Sequence, residues 1–209
     1  HSLIGGIMGA AIIGLGFETL VYGGLTKVFA GIIIAPIGGI AFGMALAGII
    51  IAVFARRKPA VVNRTFGRLS IISSAWLALT HGANDGQKTM GIIVLILFSA
   101  GIISEIHMPL WVIVAAASAM GLGTFFGGYK VIKTLGLKIT RLKPYQGFAA
   151  QTGGGVMLAI FAILGIPAST THAITGSVMG AGAARRKRAV RWKVSRQIIF
   201  SWVITIPGA

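Results

Sequence analysis

The stretch from His81 to Gly91 sets polar side chains inside an apolar part of the chain. It includes the carboxylate of Asp85 and the ammonium of Lys88, together with two amides and an imidazole. Apolar residues flank it from Leu69 to Leu79 and from Ile92 to Phe98. In a membrane-spanning segment a central Asp or Lys costs roughly 2.5–3.5 kcal/mol on insertion scales, so such a cluster indicates a functional site.

The pair Asn84 and Asp85 predicts a cation site. Both side chains offer hard oxygen atoms, and the flanking Gly82 and Gly86 predict a broken helix whose unwound carbonyl groups add further Na⁺ ligands. Proton transfer through Asp85 is one alternative. An ion pair between Asp85 and Lys88, three residues apart on a helix, is another and requires no ligand.

A second polar motif, Ser169-Thr170-Thr171, predicts an anion site. These residues precede an apolar stretch that begins as a helix, where hydroxyl groups cap free backbone N–H groups. A helix N-terminus carries roughly half a positive charge and points several N–H donors outward, so it attracts anions. Ordinary capping is the alternative, and a position in mid-membrane favours the anion. Gln87 and Lys88 are predicted to donate to the same anion.

Two histidines accompany these motifs. His81 opens the first motif and His172 follows the second, and both are candidates for contacting the anion or balancing charge. Capping or hydrogen bonding within a core is the alternative for each. No catalytic residues are predicted, because no nucleophile and base are suitably spaced on one helix, and the chain is not expected to be an enzyme.

The composition predicts an all-α polytopic membrane protein. Hydrophobic residues make up 56% of the 209, charged residues only 11%, and the mean hydropathy is +0.90. A soluble domain would expose more polar surface. The chain contains no cysteine, so disulfides are excluded.

The net charge of +16 is explained by where the basic residues lie along the chain rather than by nucleic-acid binding. All basic residues except Lys27 and Lys88 lie in three clusters: Arg56–Arg68, Lys130–Lys143 and Arg185–Arg196. Each cluster sits just outside an apolar segment. This pattern is typical of cytoplasmic loops beside anionic lipids and predicts no nucleic-acid partner.

Residues 1–10 and 172–181 form an internal repeat. His, Gly, Met, Gly and Ala recur at a constant offset. The basic clusters place the two copies in opposite orientations, which predicts inverted-topology repeats. The predicted map is an end of a first repeat (1–55), a basic loop (56–68) and a second repeat (69–209). Within the latter we expect a broken helix (69–99), a helix (110–128), a basic loop (129–146), a re-entrant hairpin (147–184), a basic loop (185–196) and the start of a last helix (197–209).

The strings HGANDGQKTMG (81–91) and GIPASTTHAITGSVMGAG (165–182) closely resemble the inorganic phosphate transporter (PiT) family of ion-coupled symporters. The resemblance covers essentially the whole chain and implies that Asn84 and Asp85 ligate Na⁺, while Ser169, Thr170 and Thr171 hold phosphate with Gln87. It further implies that the chain is a fragment, because a first Asn-Asp motif is missing. Gly86 departs from the small aliphatic residue frequent in the family.

The expected function is phosphate transport across the cell membrane by Na⁺ symport with alternating access, in a multi-pass protein surrounded by lipid. Proton coupling, transport of another tetrahedral oxyanion such as sulfate, and an intramembrane hydrolase using His81 and Asp85 are the alternatives. No organic cofactor is expected, and a homo-oligomer remains open.

Overall fold

The chain folds into a bundle of α-helices in the computed structural model, which describes residues 2–133, 139–205 and 208. The helices are α1 (Ser2–Leu15), α2 (Tyr22–Val53), α3 (Pro59–Ser99), α4 (Leu110–Lys133), α5 (Pro144–Ile163), α6 (Thr170–Ala183) and α7 (Trp192–Thr205). Short 3-10 turns lie at Phe17–Thr19 and Lys187–Ala189.

The centre of the bundle consists of α2, α3, α5 and α6. α2 packs along both α5 and α6, α3 packs along α5, and α4 lies against α3. Three helical segments within the described residues are long and apolar enough to cross a membrane: Tyr22–Val53, Leu110–Gly128 and Pro144–Ile163. Large hydrophobic side chains such as Ile33, Phe125 and Ile163 are exposed on them, as expected for surfaces that face lipid.

Small residues allow α2 and α6 to approach each other closely. Gly31, Ala35, Gly39, Gly43 and Ala47 recur every four residues on the buried face of α2. On the facing helix the glycines also have no room for a side chain. A Cβ atom at Gly176 would collide with the Pro36 carbonyl oxygen, and one at Gly180 with that of Ile40. Helices in membranes associate through close backbone contacts of this kind, because surrounding lipid removes the hydrophobic driving force for helix association.

Two single substitutions test this packing. Gly180→Ala should lower the free energy of unfolding by roughly 1–3 kcal/mol, because the added methyl group meets backbone that cannot rotate away. Gly82→Ala, on α3, should raise stability by roughly 0.5–1 kcal/mol, since nothing lies within 4 Å of its Cβ position and helices favour Ala. Unfolding by SDS titration in mixed micelles measures both. Equal effects at the two positions would contradict the packing account.

The predicted break in the third helix is wrong. α3 runs without interruption from Pro59 to Ser99, straight through Gly82 and Gly86. Its polar side chains find partners on the helix surface, with His81 and Asp85 four residues apart and Asp85 and Lys88 three apart, and such pairs stabilise helices. Partners on the same helix make an unwound backbone unnecessary.

Several predicted loops are shorter than expected. The predicted basic loop 56–68 is helical from Pro59, because a proline at the first helical position needs no N–H partner. In the predicted loop 129–146, α4 continues to Lys133 and α5 begins at Pro144, while residues 134–138 lie outside the described part. α7 starts at Trp192, inside the predicted loop 185–196. The predicted final segment (197–209) includes residues 206, 207 and 209, which also lie outside the described residues.

The predicted hairpin is present as two helices, α5 and α6, that pack against each other. α5 ends at Ile163 in a Schellman motif: Gly165 adopts a φ of 62° and its N–H donates to Ala162, while the Ile166 N–H donates to the Phe161 carbonyl. The chain then turns into α6. Entry into the membrane from one side only, as the prediction states, remains a prediction.

Candidate functional site

Asp85 is the centre of a polar cluster that joins α3 to the start of α6. Its Oδ2 lies 2.9 Å from His81 Nε2 and accepts a hydrogen bond of 2.9 Å from the Thr170 hydroxyl. Its Oδ1 accepts one of 3.0 Å from the Lys88 ammonium. The carboxylate is therefore held by three side chains, and Thr170 ties it to the hairpin.

Lys88 makes a second connection between the same elements. Its Nζ donates to the backbone carbonyl of Ala168 at 2.7 Å, just before α6 begins. The side chains of Asp85 and Lys88 keep exposed fractions of 31% and 36%, so a ligand can still reach this pair. One ammonium thus neutralises the carboxylate and holds the hairpin turn in place.

The cluster opens into a cavity of about 400 Å³, which we call the hairpin-tip cavity. The hairpin contributes Pro167 to Thr171 and α3 contributes Asp85 and Lys88. Four apolar residues complete the lining: Leu3, Ile4, Val28 and Ile32. Opposite charges and hydroxyl groups therefore meet in a cavity with a partly apolar wall, which is the composition of a small polar ligand site.

The three hydroxyl residues of the hairpin play different parts. Ser169 is the N-cap of α6, and its hydroxyl accepts the backbone N–H of His172 at 3.4 Å. Thr170 is buried and points at Asp85, whereas Thr171 is exposed to the cavity. The sequence correctly brings all three to one helix N-terminus.

The structure separates Asn84 and Gln87 from these residues. Both line a different cavity of about 390 Å³, called here the side cavity, which Lys88 also reaches. Asn84 is buried, and its amide nitrogen donates to the carbonyls of Thr80 at 2.8 Å and Leu158 at 3.3 Å. Asn84 and Asp85 line different cavities on this intact helix, where successive residues point about 100° apart, so one ion between them would require α3 to rearrange.

His172 makes a hydrogen bond within the core, which is the alternative that the sequence left open for it. It is buried, and its Nδ1 lies 3.3 Å from the carbonyl oxygen of Ile32 on α2. Pro36 stands four residues later and has no N–H for that carbonyl. Because a carbonyl oxygen only accepts, Nδ1 carries the hydrogen, and His172 replaces the missing helix bond. The proline inside a predicted span was the available signal.

Other partners were also missed. The Ser73 hydroxyl donates to Gln151 Oε1 at 2.6 Å and joins α3 to α5. The Ala168 carbonyl that receives Lys88 could not be identified from residue types, since every residue has one. Within the described residues, no group of three or more His, Cys, Asp or Glu side chains could hold a metal ion.

Replacing Thr170 with valine tests the link between the hairpin and α3. Thr170→Val keeps the shape but removes a hydroxyl bonded to a charged group, so we expect a loss of roughly 1.5–3 kcal/mol of unfolding free energy. The matched change Thr171→Val should have almost no effect, because that side chain is exposed. Differential scanning fluorimetry in detergent compares them, and equal losses would speak against the Thr170–Asp85 bond.

The model of the phosphate transporter family matches residues 53–209. Among curated proteins, a probable low-affinity inorganic phosphate transporter of Rhizobium meliloti (strain 1021) is 47% identical, over 100% of this chain and 63% of that protein. One of Bacillus subtilis (strain 168) is 39% identical, over 99% of this chain and 62% of that protein. The chain thus spans less than two thirds of the length of these relatives.

A solved structure, described as "The sodium-dependent phosphate transporter", has the same fold. The two superpose with a TM-score of 0.81, which covers 97% of this chain and 68% of that chain. Their sequences are 21% identical, so the likeness speaks for the fold alone. It confirms the all-α membrane-protein fold class.

Proposed function

The chain belongs to the phosphate transporter family, and on that basis we propose that it takes part in moving inorganic phosphate across the cell membrane. The observation that carries the proposal is the hairpin-tip cavity, which is lined by Lys88, Asp85 and the N-terminus of α6. Relatives named as inorganic phosphate transporters support it. Membership of a transporter family gives no support to the alternative of an intramembrane hydrolase.

Phosphate fits the charge pattern of this cavity. Lys88 offers an ammonium, and the first turn of α6 offers N–H groups and the Thr171 hydroxyl to oxyanion oxygens. Asp85 would repel a bare anion, but a protonated phosphate can donate a hydrogen bond to it. Fully deprotonated sulfate has no such proton. The carboxylate therefore favours phosphate over sulfate.

We propose Na⁺ as the coupling ion, with Asn84 and Asp85 as its ligands. The Asn84 amide nitrogen is fixed by two carbonyl groups, and no hydrogen bond within the described residues reaches its oxygen, which suits a hard cation. Asp85 is occupied by Lys88 in this conformation and lines a different cavity from Asn84, so binding one Na⁺ between them requires the ammonium to give way and α3 to rearrange locally. The fold neighbour is itself named sodium-dependent. Proton coupling through Asp85 is the alternative.

Gln87, His81 and His172 complete the proposed assignments. Gln87 lines the side cavity and would contact phosphate only after rearrangement. His81 lies within hydrogen-bond distance of Asp85 and helps to hold its carboxylate, while His172 serves the structure rather than the ligand. Residues 2–10 of the first repeated segment lie in α1, the second segment lies in α6, and His1 lies outside the described residues. We propose that the two segments alternate in exposing the site as inverted repeats of a multi-pass protein, with a homo-oligomer left open.

Uptake of labelled phosphate into proteoliposomes tests this function. Uptake should require an inward Na⁺ gradient, fall to background when choline replaces Na⁺, and resist a tenfold excess of sulfate. Uptake driven by a pH gradient alone would replace Na⁺ by H⁺ in the proposal. Empty vesicles and vesicles containing Asp85→Asn protein provide the background, and equal uptake in all three would refute phosphate transport by this chain.

A further inference from the structure

A third cavity lies at the opposite end of the α5–α6 hairpin from the proposed phosphate site. It measures about 240 Å³ and is lined by residues beside the ends of α2 and α6 and the beginnings of α3 and α5. The 20 residues of α5 separate it from the hairpin tip by roughly 30 Å. We call it the basic cavity, and the proposed transport site uses none of its residues.

Three cations from three separate segments line this cavity. Arg57 follows α2, Lys143 precedes α5 and Arg185 follows α6. All three are exposed, and the ion pairs in the described part of the chain are both made by Asp85, far from here. The cations therefore converge without a carboxylate to neutralise them. Such a cluster attracts an anion from outside the chain.

The remaining wall of the basic cavity is largely apolar. Ile50, Ile51 and Phe54 come from the last turn of α2 and its C-cap, and Val62 from the first turn of α3. Arg57 lies beyond the end of α2. The apolar residues from α2 therefore line the part of the cavity beside the helix, and this cation lines the part past its end. An inorganic phosphate ion would gain nothing from the apolar wall. An amphiphile, which combines an anionic group with an apolar chain, would contact both the cations and the apolar wall.

We propose that the basic cavity binds an anionic phospholipid, with its phosphate at Arg57, Lys143 and Arg185 and the start of an acyl chain along Ile50 and Phe54. The helices that surround the cavity include two long enough to span a membrane, so lipid lies beside it. Basic side chains at a membrane surface attract anionic headgroups. A zwitterionic phosphatidylcholine carries the same phosphate diester, but its choline cation opposes three positive charges.

Native mass spectrometry of the purified chain in detergent, titrated with phosphatidylglycerol or phosphatidylcholine, tests the site. The triple variant R57Q/K143Q/R185Q should weaken phosphatidylglycerol binding about 100-fold, since each basic side chain contributes roughly fivefold near an anionic headgroup. Phosphatidylcholine binding should change little. The control R64Q/R68Q/R196Q removes the same charge from exposed positions outside the cavity and should stay within threefold of the unaltered chain.

Single variants and soluble phosphate compounds test the same cavity independently. If the triple variant does not fold, K143Q and R185Q singly should each weaken phosphatidylglycerol binding about fivefold. Glycerol 3-phosphate and inorganic phosphate, added at millimolar concentration, should not displace the lipid. Displacement by either soluble ion would overturn the assignment of a phospholipid, and so would equal losses in the triple variant and its control. Phosphate transport can fail its own test without affecting any of these readouts.

Discussion

Asp85→Asn should lower the initial rate of phosphate uptake by roughly 100- to 1000-fold, a factor that corresponds to the free-energy cost of leaving one partner of a partly buried ion pair without its counter-ion. The substitution keeps the size of the side chain but removes its charge. Lys88 then faces the cavity without a carboxylate, and the Thr170 hydroxyl loses its charged acceptor. Both links between α3 and the hairpin weaken together. Initial-rate measurements in proteoliposomes under an inward Na⁺ gradient report the change.

The chain supplies a matched control for this experiment. Glu105→Gln removes the same charge from an exposed turn and should leave uptake within twofold of the unaltered chain. The double variant Asp85→Asn with Lys88→Met separates two causes, since it removes the uncompensated ammonium as well. We expect it to recover thermal stability without recovering uptake. If Asp85→Asn alone transports normally, Asp85 merely neutralises Lys88.

The position of the hydroxyl residues at a helix N-terminus was predicted from the sequence, but the path of the third helix was not. Ser169, Thr170 and Thr171 lie at a helix N-terminus as expected, because N-capping is decided by neighbouring residues. The break at Gly82 and Gly86 was inferred from glycine content and from the cost of polar groups in lipid. That inference fails because side chains three and four residues apart satisfy each other on an intact helix.

The partners across the bundle could not be predicted, since they depend on how helices pack. The separation of Asn84 and Gln87 from Asp85 follows from the helical path of α3, and the period of 3.6 residues would have shown it had the helix been assumed intact. The four-residue spacing from Gly31 to Ala47 was visible in the sequence and predicts a close helix contact. The sequence did not show which helix makes that contact, because α6 lies 120 residues or more further along the chain. The glycines of α6 do not identify the helix against which they pack.

His172→Ala should destabilise the bundle by roughly 3–5 kcal/mol, because it empties a buried site and leaves the Ile32 carbonyl without its donor. Pro36→Ala supplies a new N–H to that same carbonyl from within α2. In the double variant we therefore expect about 1–2 kcal/mol of recovery beyond the sum of the single effects. SDS unfolding of all four proteins gives this coupling energy, and Pro36→Ala alone accounts for the general gain from removing a helical proline. Strict additivity would show that the imidazole fills space at α2 and that the carbonyl freed by Pro36 finds its hydrogen elsewhere.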